Sequence, residues 1–443
     1  MLHVAMPRLL LRPQGGQFSP GAFANIPAYR ETLMTALRKN SYEVIIVGGG
    51  ISGLSAAKRL TDLGVKDVLV LEREQECGGA PRHILNPSFG LLEFRRPMLG
   101  PEYARRMRER VRGVELATGF NVTRLLPKGV LEVAGPGGVY TLQAKRVILS
   151  TGIRESSRHA RLVSGARPSG VMTFGELERY VHFAKMRPFQ RAVIVGTEWI
   201  SFAAIHSMRR SGIQPVCMLG EYARTIAPEI VAMAHEKIFR TQVYRGVLLR
   251  RILGRHSVEG VEVAKNGQVQ VFACDGVVFT GKFLPEAHLV QSSCLSFDTQ
   301  SGGPSTDQYQ RLSDPAYFAC GNILRPVETS WVCSKEGMQA AQFVQKSLSG
   351  ALPAITETVP IRFHDPVRFV WPQHLVFPHQ QGHKLYLKVS MRRPARGVLR
   401  LVVNGQETWA KTINSTPEQI IKIAPKKLTL IRPSEIEVFC DEL

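Results

Sequence analysis

The chain has 443 residues, 44% of them hydrophobic, which is enough for roughly two or three domains, and no apolar run reaches the ~18 residues of a membrane helix. Its seven cysteines include no C-x-x-C pair, which argues against a disulfide framework, a zinc site, an iron–sulfur cluster and a redox-active disulfide. The 57 basic and 36 acidic side chains give a net charge of +21, which favours acidic proteins or anionic lipid surfaces as partners. No nucleic-acid-binding motif accompanies this charge, so nucleic acid is not expected.

Residues 1–40 are interpreted as a basic N-terminal extension. They contain several Arg and Lys side chains but only one acid, Glu31, and Pro and Gly interrupt any periodicity. The segment lacks the continuous apolar region of a secretory signal, although Met1 to Arg12 resembles an organelle-targeting segment. We expect a tail outside the folded core of a cytoplasmic protein, with peripheral attachment to a membrane as the alternative.

The stretch VIIVGGGISGLSAAKRL begins a strand–turn–helix unit. The residues from Val44 to Val47 form a β-branched apolar run too short for a helix, which predicts a buried parallel strand. Gly48 permits a tight turn, Gly50 lets backbone amides approach a pyrophosphate, and Gly53 allows the next helix to pack closely on the strand.

A helix and a second strand complete the unit. The helix runs from Ile51 to about Leu63 and ends at Gly64, and its N-terminal amides, at Ile51 and Ser52, form an anion site. The next strand, DVLVLE, ends at Glu72, about twenty residues past the last glycine, where a carboxylate accepts hydrogen bonds from ribose hydroxyls. All the parts stand at the expected spacing, so the sequence predicts a dinucleotide site.

The residues after this strand indicate FAD. Glu72 and Arg73 lead through a polar stretch to a glycine pair, Gly78 and Gly79. A second glycine pair after the ribose acid resembles the flavoprotein pattern in which the chain passes close to the FAD pyrophosphate and ribityl. FAD is therefore the predicted cofactor.

Two later segments carry the same resemblance. AKRVILSTG ends at Thr151 and Gly152, and AYFACGN ends at Gly321 and Asn322. Both resemble FAD-contacting strands of the glutathione-reductase-like oxidoreductases, which have two dinucleotide-binding domains. Most members carry aspartate where this chain has Asn322; asparagine can still donate and accept hydrogen bonds there. The alternative is that Asn322 only caps a turn.

A second, damaged dinucleotide-type unit follows in RAVIVGTEWISFAAIHSMRRSGIQPVCML. Only Gly196 remains of its glycines, because Glu198 and Ser201 occupy the other two positions. A glutamate at the place of a pyrophosphate brings like-charge repulsion and bulk, so binding of NAD(P)H is disfavoured. A final helix around Ser334 to Ser347 completes the FAD half, and in the resembling fold its N-terminus points at the flavin pyrimidine edge.

The predicted fold class is α/β. It consists of an FAD-binding Rossmann-like domain with an inserted second dinucleotide-binding-like domain, followed by alternating segments that indicate a small C-terminal β-sandwich. The predicted domains are the extension, 1–40; the discontinuous FAD-binding domain, 41–152 and 283–350; the degenerate NAD(P)-binding-like domain, 153–282; and the β-rich domain, 351–443.

A narrower resemblance concerns function. The phrases GGAPRH, FGLLEFRRPMLGPEYARRM, TGIRESSRHARLVSGARPSGVMTFGEL and GNILRPVETSWVCSKEGMQAA resemble the FAD-containing α-subunit type of hydrogen cyanide synthase, opine oxidase and related amine or amino-acid dehydrogenases. The resemblance implies an FAD-dependent oxidoreductase that accepts or relays electrons from oxidation of an amine or amino acid. It also implies a partner, a flavoprotein oxidase or dehydrogenase subunit. Because the chain has no thiol pair, its electrons must pass elsewhere, to another flavin, an iron–sulfur protein or a quinone, over a basic docking face.

Two other functions stay open. One is an NAD(P)H-dependent flavin reductase, and the other is a non-catalytic assembly subunit that keeps FAD for structure. No residue is identified as acid, base or nucleophile. His83 and Arg154 are candidates to lie near the isoalloxazine, with a structural polar contact as the alternative for each, and Cys77 is interpreted as a small apolar filler.

Overall fold

The computed structural model describes residues 37–379, 384–425 and 433–442; residues 1–36 of the predicted extension lie outside this set. The helices are α1 Ile51–Asp62, α2 Leu91–Phe94, α3 Gly100–Glu109, α4 Phe174–His182, α5 Trp199–Arg210, α6 Glu229–Phe239, α7 His288–Gln291 and α8 Ser330–Leu348. The strands of the first half are β1 Ser41–Val47, β2 Val68–Glu72, β3 Glu115–Thr118, β4 Asn121–Leu126, β5 Val130–Gly135, β6 Gly138–Leu149, β7 Ile153–Glu155, β8 Ser164–Gly165, β9 Val171–Thr173, β10 Arg191–Val195 and β11 Gln214–Gly220. The later strands are β12 Gln242–Arg245, β13 Leu248–Leu253, β14 Gly260–Lys265, β15 Gln268–Ala273, β16 Gly276–Phe279, β17 Phe283–Pro285, β18 Phe297–Asp298, β19 Gly303–Pro304, β20 Tyr317–Ala319, β21 Glu357–Phe363, β22 Val367–Trp371, β23 His374–Phe377, β24 Leu387–Met391, β25 Ala395–Val403, β26 Gln406–Ser415, β27 Ile421–Ile423 and β28 Ile436–Glu442.

The first sheet has the order β3-β2-β1-β6-β5-β4, and β20 pairs with β6. β1 lies parallel to β2 and β6, with Val47 opposite Leu71 and Leu149, and its apolar residues are almost fully buried. Because parallel strands end at the same edge of a sheet, the turns that follow β1, β2, β6 and β20 meet there. In open α/β sheets this edge is where ligands bind.

α8 packs across α1. The Oγ atoms of Ser55 and Ser334 lie 2.9 Å apart, and a Cβ at Gly337 would stand 2.1 Å from the carbonyl oxygen of Ser52. Only glycine permits this approach. α8 begins at Ser330, four residues before the predicted start at Ser334, because Thr329 already takes the extended N-cap conformation.

A second parallel sheet has the order β12-β11-β10-β16-β9, and α4, α5 and α6 contribute to its hydrophobic core. A four-stranded sheet has the order β15-β14-β13-β8, and its strands β13, β14 and β15 come between β12 and β16 in the chain. β7 pairs with β17 in an antiparallel ribbon. The strand–turn–helix–strand order predicted for the second unit is confirmed by β10, α5 and β11.

The last part of the chain is β-rich. A five-stranded sheet, β23-β21-β28-β25-β26, and a three-stranded sheet, β22-β24-β27, share one hydrophobic core. β25 alternates buried and more exposed positions, the period-two pattern expected from the sequence. The predicted α/β fold class with a β-rich C-terminal part is therefore confirmed. Within the described residues, no helix is both long and apolar enough to span a membrane.

Candidate nucleotide-binding site

The turn between β1 and α1 is fixed by two close contacts. Gly48 has a φ of +104°, and a Cβ there would stand 2.5 Å from the carbonyl oxygen of Ser150. A Cβ at Gly53 would stand 2.0 Å from the carbonyl oxygen of Gly48. Neither position accepts a side chain without movement of the backbone, and both glycines serve the geometry that the sequence motif predicted.

Gly50 differs, because the protein itself leaves room for a side chain there. Its φ is −73°, and a Cβ would meet nothing nearer than the Cα of Gly79, at 3.9 Å. Gly79 lies close by, since a Cβ there would stand 3.0 Å from the Cα of Gly50, and its loop is held by a 2.7 Å hydrogen bond from the N–H of Gly78 to the carbonyl of Gly49. The two glycine backbones thus meet at the N-terminus of α1, whose unpaired N–H groups can bind a diphosphate.

The end of β20 also approaches the N-terminus of α1. Gly321 has a φ of +76°, and a Cβ there would stand 2.5 Å from Oγ of Ser52. Ile51 and Ser52 are the first residues of α1, where backbone N–H groups have no partner within the helix. The structure thus brings together the predicted residues of the first turn, the glycine pair and Gly321.

Glu72 lies at the end of β2 and is buried. Its Oε2 accepts a 2.8 Å hydrogen bond from the N–H of Gly49, and its Oε1 accepts one of 2.9 Å from the N–H of Glu74. Burial raises the pKa of Glu72, although these two amides oppose the shift. The carboxylate is held in one orientation and keeps lone pairs for ribose hydroxyls. Arg73, beside it, is exposed.

Thr151 and Gly152 follow β6 and bind the segment that leads into α7. The hydroxyl of Thr151 donates to the carbonyl of Glu286 at 2.7 Å, and the N–H of Glu286 donates to the carbonyl of Gly152 at 2.9 Å. Gly152 has a φ of +79° and open space around it. These two residues therefore tie the end of β6 to the segment before α7.

Asn322 is held by both its amide atoms. Its Nδ2 donates to the carbonyl of Glu328 at 3.1 Å, and its Oδ1 accepts from the N–H of Glu328 at 2.8 Å. An aspartate could make only the second of these bonds. This pairing gives a physical reason for asparagine where the resembling family has aspartate, and it closes the loop that leads into α8.

Sequence reasoning missed a buried charge cluster next to this loop. Nζ of Lys388 lies 2.8 Å from Oε1 of Glu328 and 2.6 Å from Oε1 of Glu336, and the fully buried Arg325 contacts the same two oxygens. The guanidinium of Arg325 also lies over the ring of Trp371, with 4.6 Å to the ring centre. Burial opposes charge on Glu336, but the two cations hold the pKa of its carboxyl below the usual value. The available signal was a lysine inside the apolar strand KLYLKVSM.

In the second unit, a buried glutamate stands at the N-cap of the helix. Glu198 is buried at the N-terminus of α5, where its Oε2 accepts a 2.9 Å hydrogen bond from Ser201, and Ser201 Oγ lies 2.6 Å from Thr280 Oγ1. A Cβ at Gly281 would stand 2.3 Å from Cδ of Glu198, and one at Gly196 would stand 2.1 Å from Thr280 Oγ1. The glutamate side chain thus fills the turn between β10 and α5, at the sequence position that corresponds to Gly50 in the first unit.

Two further acids and two arginines surround Glu198. Burial raises the pKa of Glu155 to about 7; burial and Glu198 raise that of Glu418 to about 8, although Arg161 and Arg368 oppose the shift. Nη2 of Arg161 donates to the carbonyl oxygens of Thr280 and Gly281, at 2.7 and 2.9 Å, next to Glu198. Glu418 belongs to the C-terminal part, so this part contributes a carboxyl group to the second unit.

This cluster predicts a pH-dependent stability. An acid whose pKa is higher in the folded than in the unfolded protein keeps its proton only in the folded state, so the free energy of unfolding falls as the pH rises from about 4.5 to about 8. We expect Glu418→Gln to remove part of this fall and to stabilise the protein at pH 9 by on the order of 2 kcal/mol. Urea unfolding at pH 5 and pH 9 measures the difference. Equal effects of the substitution at both pH values would contradict the assignment.

The remaining candidates are the cysteine thiols and the two polar residues predicted near the isoalloxazine, His83 and Arg154. All seven cysteines lie within the described residues and are free, and only Cys294 is exposed. Burial raises the pKa of Cys77 to about 12. Burial, Arg179 and Arg82 lower the pKa of His83 to about 4, so this imidazole is neutral at pH 7. Arg154 is exposed on β7, with Nε 3.9 Å from Oε2 of Glu286.

Two flavin-dependent oxidases are similar to a short part of this chain. The flavin-containing amine oxidase of Danio rerio is 42% identical over 69 residues, which are 16% of this chain and 13% of that protein. Polyamine oxidase 7 of Oryza sativa subsp. japonica is 56% identical over 36 residues, 8% of each protein. The chain therefore matches only a small part of the length of these relatives.

Solved structures share the fold over much longer stretches. Thioredoxin reductase of T. acidophilum has a TM-score of 0.59 at 20% identity over 70% of this chain and 99% of that one. An NAD-dependent persulfide reductase from A. fulgidus gives 0.55 at 15% identity, over 87% and 72%. L-proline dehydrogenase from P. horikoshii gives 0.52 at 16% identity, over 71% and 56%.

A family model described as pyridine nucleotide-disulphide oxidoreductase matches residues 42–346, well over half of the chain. This range includes both dinucleotide-type units, the glycine pair and the start of α8. FAD is the cofactor of these flavoproteins, and the glycine turn at the N-terminus of α1 fits its diphosphate. The chain thus belongs to the FAD-dependent pyridine nucleotide-disulphide oxidoreductase family.

Proposed function

We propose that this protein is an FAD-dependent oxidoreductase that takes electrons from oxidation of an amine or amino acid, as a subunit of a multi-subunit dehydrogenase, and that NAD(P)H is not its reductant. The observation that carries the last point is the contrast between the two turns. The N-cap of α1 is Gly50, which carries no side chain, whereas the N-cap of α5 is Glu198, whose side chain is buried in the turn.

Two effects of Glu198 disfavour a second diphosphate. Its side chain takes up the volume between Gly281 and Ser201, and displacing it would break the hydrogen bond with Ser201. When ionised, it also repels the phosphates; burial raises its pKa, which weakens this repulsion but leaves the steric obstacle. The side chain of Glu198 therefore excludes a second diphosphate by its volume at every pH.

The cysteines argue against disulfide reduction, the reaction in the names of several neighbours in fold. Such a reaction needs a reactive thiolate, and six of the seven thiols are buried. The substrate class rests on the sequence resemblance to amine and amino-acid dehydrogenases. The partial similarity to flavin-containing amine oxidases is in keeping with it.

FAD, when bound, would supply the acceptor for two electrons from the substrate. In this proposal the N-terminal amides of α1 and the loop of Gly78 and Gly79 bind its diphosphate, while Glu72 binds the adenosine ribose. The segments ending at Thr151, Gly152, Gly321 and Asn322 contact the flavin half. The N-terminus of α8 favours negative charge on the reduced flavin through its dipole.

Anaerobic reduction of the yellow protein, purified together with the subunits that accompany it, tests this function. We expect one class of amines or amino acids to bleach the visible absorbance of the flavin, and NADH or NADPH alone to leave it unchanged during the same time. Rapid bleaching by NADH or NADPH would instead identify a flavin reductase. Flavin that no donor reduces, in a protein that still assembles with its partners, would identify an assembly subunit.

A further inference from the structure

Two histidine side chains meet between α5 and α6. Nε2 of His206, on α5, lies 3.2 Å from Nε2 of His235, on α6. His206 is exposed and His235 is half-buried, so dissolved ions can reach the pair. The two histidines are 29 residues apart in the chain and lie on different helices, so their spacing in the sequence does not indicate a shared site.

A backbone contact fixes the tautomer of His235. Its Nδ1 lies 2.8 Å from the carbonyl oxygen of Val231, one turn earlier in α6. A carbonyl oxygen only accepts hydrogen bonds, so Nδ1 of the neutral ring carries the proton and Nε2 keeps its lone pair. Histidines that ligate metals are commonly oriented by such a contact from the other ring nitrogen to a carbonyl. Nε2 of His235 is thus prepared as a metal ligand and lies next to Nε2 of His206.

Each imidazole packs on a phenylalanine of the opposite helix. The ring centre of His235 lies 4.9 Å from that of Phe202 on α5, and the ring centre of His206 lies 4.5 Å from that of Phe239 on α6. These contacts restrict both side chains before any ligand binds, so less conformational freedom is lost on binding. The two nitrogens are therefore held close together by the packing of α5 on α6.

We propose that His206 and His235 together bind one divalent transition-metal ion of the kind that prefers imidazole, Zn²⁺ or Cu²⁺. Zinc–nitrogen bonds are about 2.0–2.1 Å long, so two of them to nitrogens 3.2 Å apart enclose an angle of about 100° at the metal, near the tetrahedral value. Both ligands can therefore reach one ion with little movement. A hydrogen bond between the rings is the alternative, and 3.2 Å is at the long end of its range.

The surroundings select against Mg²⁺ and Ca²⁺, which require oxygen ligands. The carboxylate of Glu236, next to His235 in α6, pairs with Arg245 at 3.3 Å. In the part of the chain that the structure describes, no group of three or more His, Cys, Asp or Glu side chains could hold a metal, so water would complete the coordination. Arg209 donates to the carbonyl of Phe239 and adds a positive charge nearby. We therefore expect a lower affinity than at a site with three or four protein ligands.

Metal titration of the FAD-loaded protein tests the proposal. The parent protein for this test has no polyhistidine tag and carries Cys294→Ser, because the exposed thiol of Cys294 can bind the same ions. We expect equilibrium dialysis to show a saturable site for one Zn²⁺ per chain that excess Mg²⁺ does not empty. His206→Asn and His235→Asn should each lower the affinity at least about tenfold. The matched control, His159→Asn at an exposed histidine outside the pair, should leave it unchanged.

The electron paramagnetic resonance spectrum of bound Cu²⁺ identifies the ligands. We expect coupling to two imidazole nitrogens in the parent protein and to fewer in His206→Asn or His235→Asn. Equal Zn²⁺ affinities in the parent protein and these two variants would overturn the proposal and leave the pair as a hydrogen bond between imidazoles. So would a Cu²⁺ spectrum that neither substitution changes. These readouts do not depend on flavin reduction, so this inference and the proposed function can fail separately.

Discussion

Replacing Gly50 by aspartate is expected to abolish FAD binding and leave the fold intact. A Cβ there would stand at ordinary contact distance, 3.9 Å, from its nearest neighbour, so the fold tolerates it, and it would bring a carboxylate to the N-terminus of α1. About 4 Å from a phosphate, at an effective dielectric constant of about 20, like-charge repulsion is about 4 kcal/mol, close to a thousandfold in Kd. Titration of the apoprotein with FAD, followed by flavin fluorescence, measures the loss.

Two further variants separate loss of the ligand from loss of the fold. Gly53→Ala places a Cβ 2.0 Å from the Gly48 carbonyl oxygen, so we expect it to lower the free energy of unfolding by about 3 kcal/mol and to weaken FAD binding as a consequence. Lys66→Asp changes the charge at an exposed position past the end of α1 and should alter neither. A Gly50→Asp protein that binds FAD normally would show that the turn between β1 and α1 is not the diphosphate site.

The first turn could be predicted from the sequence because its requirements are local. Gly48 and Gly53 touch residues that the same short unit supplies or that follow directly from strand pairing. The end of β2 at Glu72 follows from the same spacing. The loop of Gly78 and Gly79 could be placed for a similar reason, since a hydrogen bond from the N–H of Gly78 to the carbonyl of Gly49 ties it to the first turn.

Long-range contacts could not be predicted in the same way. Lys388 is 52 and 60 residues from its partners Glu336 and Glu328, and only the packing of the C-terminal sheets joins them. The sequence gives no sign that Asn322 pairs with the backbone of Glu328. In α6, apolar residues occur on every side, so the sequence does not show that Ile230 faces solvent.

The buried cluster of Lys388, Arg325, Glu328 and Glu336 joins the α8 region to the C-terminal sheets, and it should be the most sensitive electrostatic element between them. Lys388→Met keeps the length of the side chain but leaves two buried carboxylates with a single cation, Arg325. Removing one partner of a buried ion pair typically costs about 3–5 kcal/mol, because the remaining charge is left uncompensated. We expect a decrease of this size in the free energy of unfolding, measured with urea.

Two comparisons show whether the uncompensated charge is the cause. Adding Glu336→Gln to Lys388→Met restores the balance of charges, so the double variant should be more stable than Lys388→Met alone, with a coupling of about 1–3 kcal/mol. Arg362→Met breaks an exposed pair with Glu435, 3.0 Å apart, and should cost less than about 1 kcal/mol. The backbone of Glu328 also pairs with the side chain of Asn322. If this loop holds the flavin, Lys388→Met should therefore weaken FAD binding as well, and Arg362→Met should not. Equal losses of stability in the buried and exposed variants would mean that Lys388 acts only through its packing.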